Sequence, residues 1–281
     1  MSIVSNVAFN IGAPMGERFL YLPSLGFCIA IAVLLLRFLK ISDWNNLKFN
    51  ARIFIPAGII LVLFSYKTIA RNPDWKNNTI LFTADAEHSP NSAKVHHYYG
   101  NSFLTPHLGK PDSREKTEDL KTALREEKIA VRINPEFHHA YYNLGLIYQE
   151  LQNGDSALFY LNKVLELQPM HILAQGAIGS VYGKLKGDYN NAIEHLKIAV
   201  KYNPEDEGSW DNLGISYAMK GDFSESLKAF TEAIKYKKDD PRLYLNTAIT
   251  YQNMKDSVNA KIFFNKAFEL DPSLKQPTQR K

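Results

Sequence analysis

The chain has 281 residues, 45% of them apolar and 22% charged, so it is long enough for one large domain or two ordinary ones. Its formal net charge is +4, and its basic residues are scattered rather than grouped with aromatic residues, which argues against a nucleic-acid partner. The single cysteine excludes a disulfide or a cysteine-based metal site within one chain.

Two apolar segments near the N-terminus have the character of membrane spans. The first, 19–39, matches the roughly 20 residues that an α-helix needs to cross a bilayer. The second, 53–69, is shorter, but Tyr66 and Lys67 can reach the interface. A buried hairpin of a soluble core is the alternative for both segments. Because the two lie side by side, we predict that residues 1–70 form a membrane region with two spans.

Positive charges around the short connection between these segments predict its location. Lys and Arg favour the cytoplasmic side of a membrane, and the connection is bordered by Arg37, Lys40, Lys48 and Arg52. We therefore expect a multi-pass integral membrane protein whose connection is cytoplasmic. Everything after the second span would then face the periplasm or lumen.

Residues 71–92 are predicted to form a linker and a capping helix. The helix is expected over Asp74–Glu87, with Ile80, Leu81 and Ala84 on one apolar face. It precedes a repeat array, and the terminal element of such an array needs an unusual outer face because it has no further neighbour.

Beyond residue 90 the sequence repeats at close to 34 residues, the period of the tetratricopeptide helix-turn-helix unit. In the clearest unit, Tyr141 and Gly145 occupy the first helix, Ala157 occupies the second, and Pro169 ends it. The predicted units are 93–136, 138–171, 172–205, 207–240 and 241–274. The first is interrupted by a polar insertion, and the third has one extra residue near Lys186–Asp188. The expected fold is all-α: two transmembrane helices followed by a solenoid of about five repeats over 93–272.

The first helices of such a solenoid line its concave face, where a protein or peptide would bind. Three asparagines occupy one position of their units, and side-chain amides can bond a peptide backbone. They are Asn143, Asn212 and Asn246. A structural role in helix packing is the alternative. Residues nearby that are expected to set sequence preference are His139, Tyr142, Asp211 and Arg242, although a solvated face would carry such residues too.

Catalytic and nucleotide-binding motifs are absent from the repeats. The adjacent pairs His96–His97 and His138–His139 project in different directions on a helix, which makes them poor metal ligands. We therefore expect no metal site and no cofactor in the repeats.

Three segments in order, GERFLYLPSLGFC at 16–28, RNPDW at 71–75 and NSAKVHHYYG at 91–100, resemble the transmembrane and tetratricopeptide-repeat O-mannosyltransferases, the TMTC family. The resemblance implies a glycosyltransferase-C membrane domain that uses a lipid-phosphate-linked mannose donor, followed by lumenal repeats. The chain matches the C-terminal portion of that architecture. The family's earlier membrane helices and catalytic acidic residues are expected upstream of what is seen in this sequence.

Glu17 and Arg18 lie within the first of these matched segments, at the edge of the first span. The resemblance implies that they belong to a donor site, in which Arg18 would contact a lipid phosphate and Glu17 would orient it. An interfacial ion pair is the alternative. The sequence thus predicts a membrane-anchored repeat module for protein interactions that is not catalytic alone. The alternative function is one part of an active or split mannosyltransferase whose repeats present the acceptor protein.

Overall fold

The structure, a computed structural model, describes residues 76–275 without a gap, together with residues 55, 58, 59, 62, 63, 66, 69, 70 and 74. The predicted span 19–39 lies outside the described residues. The segment 53–69 is described only at isolated positions, each of them helical. Within the described part of the chain, no helix has both the length and the apolar character that crossing a membrane requires.

Residues 76–275 form eleven α-helices and contain no strand, which confirms the all-α repeat fold. In chain order they are α1 (Asn78–His88), α2 (Ala93–Leu104), α3 (Arg114–Ile133), α4 (His138–Glu150), α5 (Gly154–Leu167), α6 (Ile172–Val181), α7 (Tyr189–Tyr202), α8 (Glu207–Lys220), α9 (Phe223–Tyr236), α10 (Pro241–Asn253) and α11 (Ser257–Leu270). A π-helical turn, Tyr182–Lys186, follows α6, and 3-10 turns lie at Thr105–His107 and Pro272–Lys275. The chain divides into two compact units, Met1–Pro106 and His107–Lys281.

In the first unit, α1 packs against α2. Helix α1 begins four residues later than predicted, because the side chain of Asn77 accepts a hydrogen bond from the backbone N–H of Ile80 and so caps it. Leu81 and Phe82 are buried, and the Phe82 ring stacks on Tyr98 with centroids 5.3 Å apart. Ile80 is 39% exposed, so Phe82 rather than Ile80 completes the buried face of the helix.

The second unit contains four regular hairpins, α4–α5, α6–α7, α8–α9 and α10–α11. Their first helices begin at His138, Ile172, Glu207 and Pro241, so successive starts lie 34, 35 and 34 residues apart. This spacing agrees with the repeat period of the sequence. Three of the four second helices begin after a short polar side chain that caps them: Asn153 caps α5, Asp188 caps α7 and Asp256 caps α11.

A residue in the left-handed conformation separates the two helices of each regular hairpin. Glycine fills this position twice, at Gly187 and Gly221, where φ is +64° and +84°. The other two hairpins place Gln152 and Lys255 there, with φ of +57° and +62°. The extra residue of the third predicted unit is accommodated just before Gly187, as the π-helical turn that ends its first helix.

Close contact between the paired helices forms the core of each hairpin. A Cβ atom on Gly214 of α8 would lie 2.6 Å from a ring carbon of Phe230 in α9, so only glycine fits there. Leu161 in α5 and Leu196 in α7 hold the same position in their hairpins, and all three large side chains are almost completely buried. Burial of each such side chain contributes about 1.5–3 kcal/mol.

Candidate functional site

The first helices of the regular hairpins contact one another in succession, α4 with α6, α6 with α8 and α8 with α10. We call the surface formed by α4, α6, α8 and α10 the first-helix face. Small side chains bring α6 and α8 together, because a Cβ atom on Gly176 would lie 2.7 Å from Oγ of Ser209. Gly183, in the π-helical turn that follows α6, faces Ser216 of α8.

The three predicted asparagines have different environments. Asn143 is buried, and its Nδ2 donates to Oε1 of the buried Glu127 in α3 at 2.7 Å. This contact links α3 to α4, and peptide binding by Asn143 stays a prediction. Asn212 is half-buried, and its side chain makes no hydrogen bond within 76–275.

Asn246 links two first helices. Its Nδ2, in α10, donates to Oδ1 of Asp211 in α8 at 3.0 Å. Burial raises the pKa of Asp211, while the hydrogen bond from Asn246 and the positive charges of Arg242 and Lys184 act in the opposite direction. The structure therefore brings Asn246, Asp211 and Arg242 into one polar group.

Arg242 is exposed at the start of α10 and is already engaged. Its Nε donates to Oδ1 of Asp240 at 3.1 Å and its Nη2 donates to Oδ2 at 2.7 Å. These hydrogen bonds hold the pKa of Asp240 below its ordinary value, against the effect of burial. Arg242 thus contributes its aliphatic stem and its remaining N–H groups to the first-helix face.

Tyr142 and His139 lie at the α4 end of the face. The Tyr142 ring contacts His171 at a centroid distance of 5.4 Å. Burial, together with the negative charge of Asp206, raises the pKa of Tyr142 to about 12, so its hydroxyl is neutral and available as a donor. His139 is exposed and lies against His138, with ring centroids 4.0 Å apart.

Sequence reasoning missed Lys184, which the π-helical turn places on the same face. Its register with Glu150 one repeat earlier and Met219 one repeat later was the signal that could have identified it. Although Lys184 is exposed, the surrounding protein lowers its pKa; Asp211 and Glu150 raise it, and Arg242 lowers it further.

Exposed apolar side chains complete the first-helix face. Leu173, Met219 and Ile249 are 53%, 59% and 41% exposed. Together with the polar group around Asp211, they give the face the mixture of apolar and hydrogen-bonding side chains that protein-binding surfaces have.

Two expectations concern other parts of the chain. Glu17 and Arg18, the predicted remnant of a donor site, lie outside the described residues. In the part of the chain that the structure does describe, no three His, Cys, Asp or Glu side chains are grouped so that they could hold a metal ion.

Models of the tetratricopeptide repeat match four segments, 139–171, 174–206, 208–240 and 241–274. These segments coincide with the four regular hairpins. The predicted first unit, which combines α2, the insertion and α3, is not among them.

Over its repeat region the chain is similar to several protein O-mannosyl-transferases. Human TMTC1 is 32% identical over 143 residues, which is 51% of this chain and 15% of the relative. Human TMTC3 is 24% identical over 200 residues, 70% of this chain and 19% of the relative. The chain thus spans less than one fifth of the length of either relative.

Two solved structures share the fold. MamA from Desulfovibrio magneticus RS-1 is 22% identical with a TM-score of 0.54, covering 64% of this chain and 98% of that one. YrrB, described as a tetratricopeptide-repeat protein with an unusual peptide-binding site, is 21% identical with a TM-score of 0.53, covering 68% of this chain and 92% of that one.

Proposed function

We propose that this tetratricopeptide-repeat chain is a membrane-anchored protein-interaction module, similar to the C-terminal portion of a protein O-mannosyl-transferase, and that its first-helix face binds peptide segments. The observation that carries the proposal is the composition of that face. Leu173, Met219 and Ile249 are exposed there, on the same face as the polar group of Asn246, Asp211 and Arg242. YrrB, which shares the fold, supports the same use of a repeat surface.

Binding of a peptide to this face can be tested without knowing the natural partner. A phage library of random dodecapeptides would be selected on the full chain in mild detergent, and the affinity of the selected peptides measured by fluorescence anisotropy. We expect saturable binding that Ile249→Arg weakens at least about tenfold, because a charge then occupies an apolar contact site.

A matched control is available on the adjacent helix. Ile262 in α11 is also exposed, at 57%, but it lies outside the first-helix face. Ile262→Arg should leave the affinity unchanged. Selection of no peptide, or equal effects of the two substitutions, would defeat the proposal.

The membrane anchor is proposed from the two apolar segments, 19–39 and 53–69. Its support within the second segment is that Ile59, Val62 and Leu63 are helical and more than half exposed, as lipid-facing residues would be. The repeats would lie on the periplasmic or lumenal side, in contact with the membrane lipid only through the anchor. Resistance of the protein to carbonate extraction, with protease protection of the repeats in sealed vesicles, tests both statements.

A second candidate function is favoured by the similarity to the O-mannosyl-transferases: the chain would be one part of a glycosyltransferase-C enzyme whose repeats present the acceptor protein. In that case a lipid-phosphate-linked mannose donor is a further partner, and Arg18 would contact its phosphate. Loss of mannosyl transfer on Arg18→Ala in a reconstituted assembly would support this function. Unchanged transfer would exclude Arg18 from the donor site.

A further inference from the structure

Lys184 has no ion-pair partner among the described residues, whereas Arg242 of the first-helix face and Lys237, which follows α9, each have one. Arg242 is held by Asp240, and Lys237 lies 3.2 Å from Glu207. Lys184 has no carboxylate within 4.0 Å across 76–275, and its side chain is exposed. An exposed ammonium group without an internal partner can form an ion pair with an anionic group of a ligand, and no existing ion pair has to break.

The two carboxylates that influence the pKa of Lys184 are already hydrogen-bonded to other groups. Glu150 receives a hydrogen bond from Nζ of Lys116 at 2.7 Å and another from the backbone N–H of Gly109 at 3.1 Å. Asp211 accepts from Asn246. Both act to raise the pKa of Lys184 against the lowering effect of burial, but neither forms an ion pair with it.

Gln149 supplies a second observation beside Lys184. Its Oε1 is buried and has no hydrogen-bond partner in the described part of the chain, and its Nε2 makes only a 3.5 Å contact with Oγ of Ser180. The amide can therefore turn towards a ligand at little cost in internal hydrogen bonds. Ser180 and Lys184 are four residues apart, so the Ser180 hydroxyl that Gln149 of α4 contacts lies on the same side of its helical segment as Lys184.

We infer that Gln149, Ser180 and Lys184 form a subsite that binds an acidic residue of a peptide held on the first-helix face. The inference rests on the proposed function and names the partner of that surface. Lys184 forms the ion pair, and the Gln149 amide bonds the peptide backbone next to the acidic residue. A basic side chain at the same place would meet the charges of Lys184 and Arg242 and be repelled.

The register of the repeats also predicts what lies beside the acidic residue. Met219 holds the position of Lys184 in the next repeat and is exposed. Packed helices lie about 8–10 Å apart, a distance that about three residues of extended chain cover. The peptide should therefore carry an apolar side chain about three residues from its Asp or Glu, in contact with Met219.

The experiment uses the full chain and the selected dodecapeptides described above. Each peptide would be synthesised in its original form, with Glu→Gln or Asp→Asn at the acidic position, and with an amidated C-terminus. We expect the neutral isostere to bind about tenfold to a hundredfold more weakly, the range of a hydrogen bond to a charged group, and amidation to have no effect. On Lys184→Gln, the original peptide and its isostere should bind alike.

Lys186→Gln is the matched control. Lys186 lies on the same π-helical turn, but its Nζ donates to Oδ1 of Asp155 at 2.6 Å, and it should not affect the isostere difference. If the isostere binds as well as the original, if only amidation weakens binding, or if the two lysine variants behave alike, the inference is wrong. If Ile249→Arg weakens peptide binding but Lys184→Gln does not, the inference is wrong and the proposed function stands. If no peptide is selected, both are wrong.

Discussion

Helices α3 and α9 both follow a polar turn or loop and pack beside a regular first helix, but their buried side chains differ in polarity and charge. The buried residues of α9 are small or apolar: Ser226, Ala229, Phe230 and Ala233. The buried residues of α3 include three charged ones: Lys116, Leu120, Ala123, Glu126, Glu127 and Ala130. One of the three, Lys116, lies at the N-terminal end of α3, where the segments that precede the two helices differ in length.

A two-residue turn precedes α9, whereas a longer surface loop precedes α3 and has to be held against it. Lys116 does this: its Nζ donates to the backbone oxygen of Lys110 at 2.7 Å and lies 2.7 Å from Oε2 of Glu150. His107 adds a contact of 2.6 Å to Asp119. The regular hairpins are thus stabilised by apolar contact, and the region around the insertion by a charged network.

The largest effect is expected in the apolar region. Phe230→Ala should lower the free energy of unfolding by about 3–5 kcal/mol, because Phe230 is 1% exposed and its removal leaves a cavity beside Gly214. Urea denaturation of the full chain, followed by far-UV circular dichroism, measures this change.

Phe264 is the matched control, since it holds the same position one repeat later. It lines an open cavity of about 430 Å³ on α11 and remains partly exposed. Phe264→Ala should therefore cost clearly less than Phe230→Ala. Equal losses of unfolding free energy for the two substitutions would show that burial of the phenylalanine by the next hairpin does not determine its contribution to stability.

The charged region should respond less. Lys116→Met is expected to cost about 1–3 kcal/mol, because Glu150 loses its charged donor. Lys116 lies beneath a surface loop, so the loss should stay below that of a deeply buried ion pair. In the double variant Lys116→Met with Glu150→Gln, part of the loss should be recovered; strict additivity of the two changes would rule out the pairing as the source of the effect.

The same contrast explains what could be predicted from the sequence. The regular hairpins follow from a period of 34 residues, with Gly214 and its counterparts marking the close contacts. The contact of Asn143 could not be predicted, because its partner Glu127 comes from the irregular helix, where no repeat pattern fixes the register. Lys184 was missed for a different reason, since it occupies an exposed position to which the repeat pattern assigns no residue type.

A smaller effect is expected at a cap within the regular region. His171 starts α6, and its Nδ1 accepts the backbone N–H of Ala174 at 3.1 Å, which requires an unprotonated Nδ1. Burial lowers the pKa of His171 below the value of 6.5 expected when unfolded. As the pH falls below about 6.5, the unfolded state takes up the proton more readily than the folded state. The contribution of His171 to the free energy of unfolding is therefore lost towards acid and is constant above neutrality.

His171→Asn separates this contribution from that of the other histidines. Asparagine also caps helices but does not titrate, so the variant should lose less stability between pH 7.5 and pH 5.5, by about 1 kcal/mol or less. Denaturation midpoints at the two pH values provide the measurement. An identical pH dependence in the two proteins would mean that the cap is not the sensitive group.

The smallest loss of stability is expected for an exposed lysine of α3. Comparing it with the buried Lys116 separates the effect of burial from the effect of charge. Lys121 lies one and a half turns after Lys116, and its Nζ is 2.9 Å from Oε1 of Glu118, but both side chains are more than half exposed. An exposed pair of this kind contributes at most a few tenths of a kcal/mol, because water screens it and the two long side chains lose freedom. Lys121→Ala should therefore leave the denaturation midpoint almost unchanged, while Lys116→Met shifts it. If the two substitutions cost the same, the stabilisation attributed to the network around Lys116 would have to come from the general charge balance of α3 instead of from its burial under the loop.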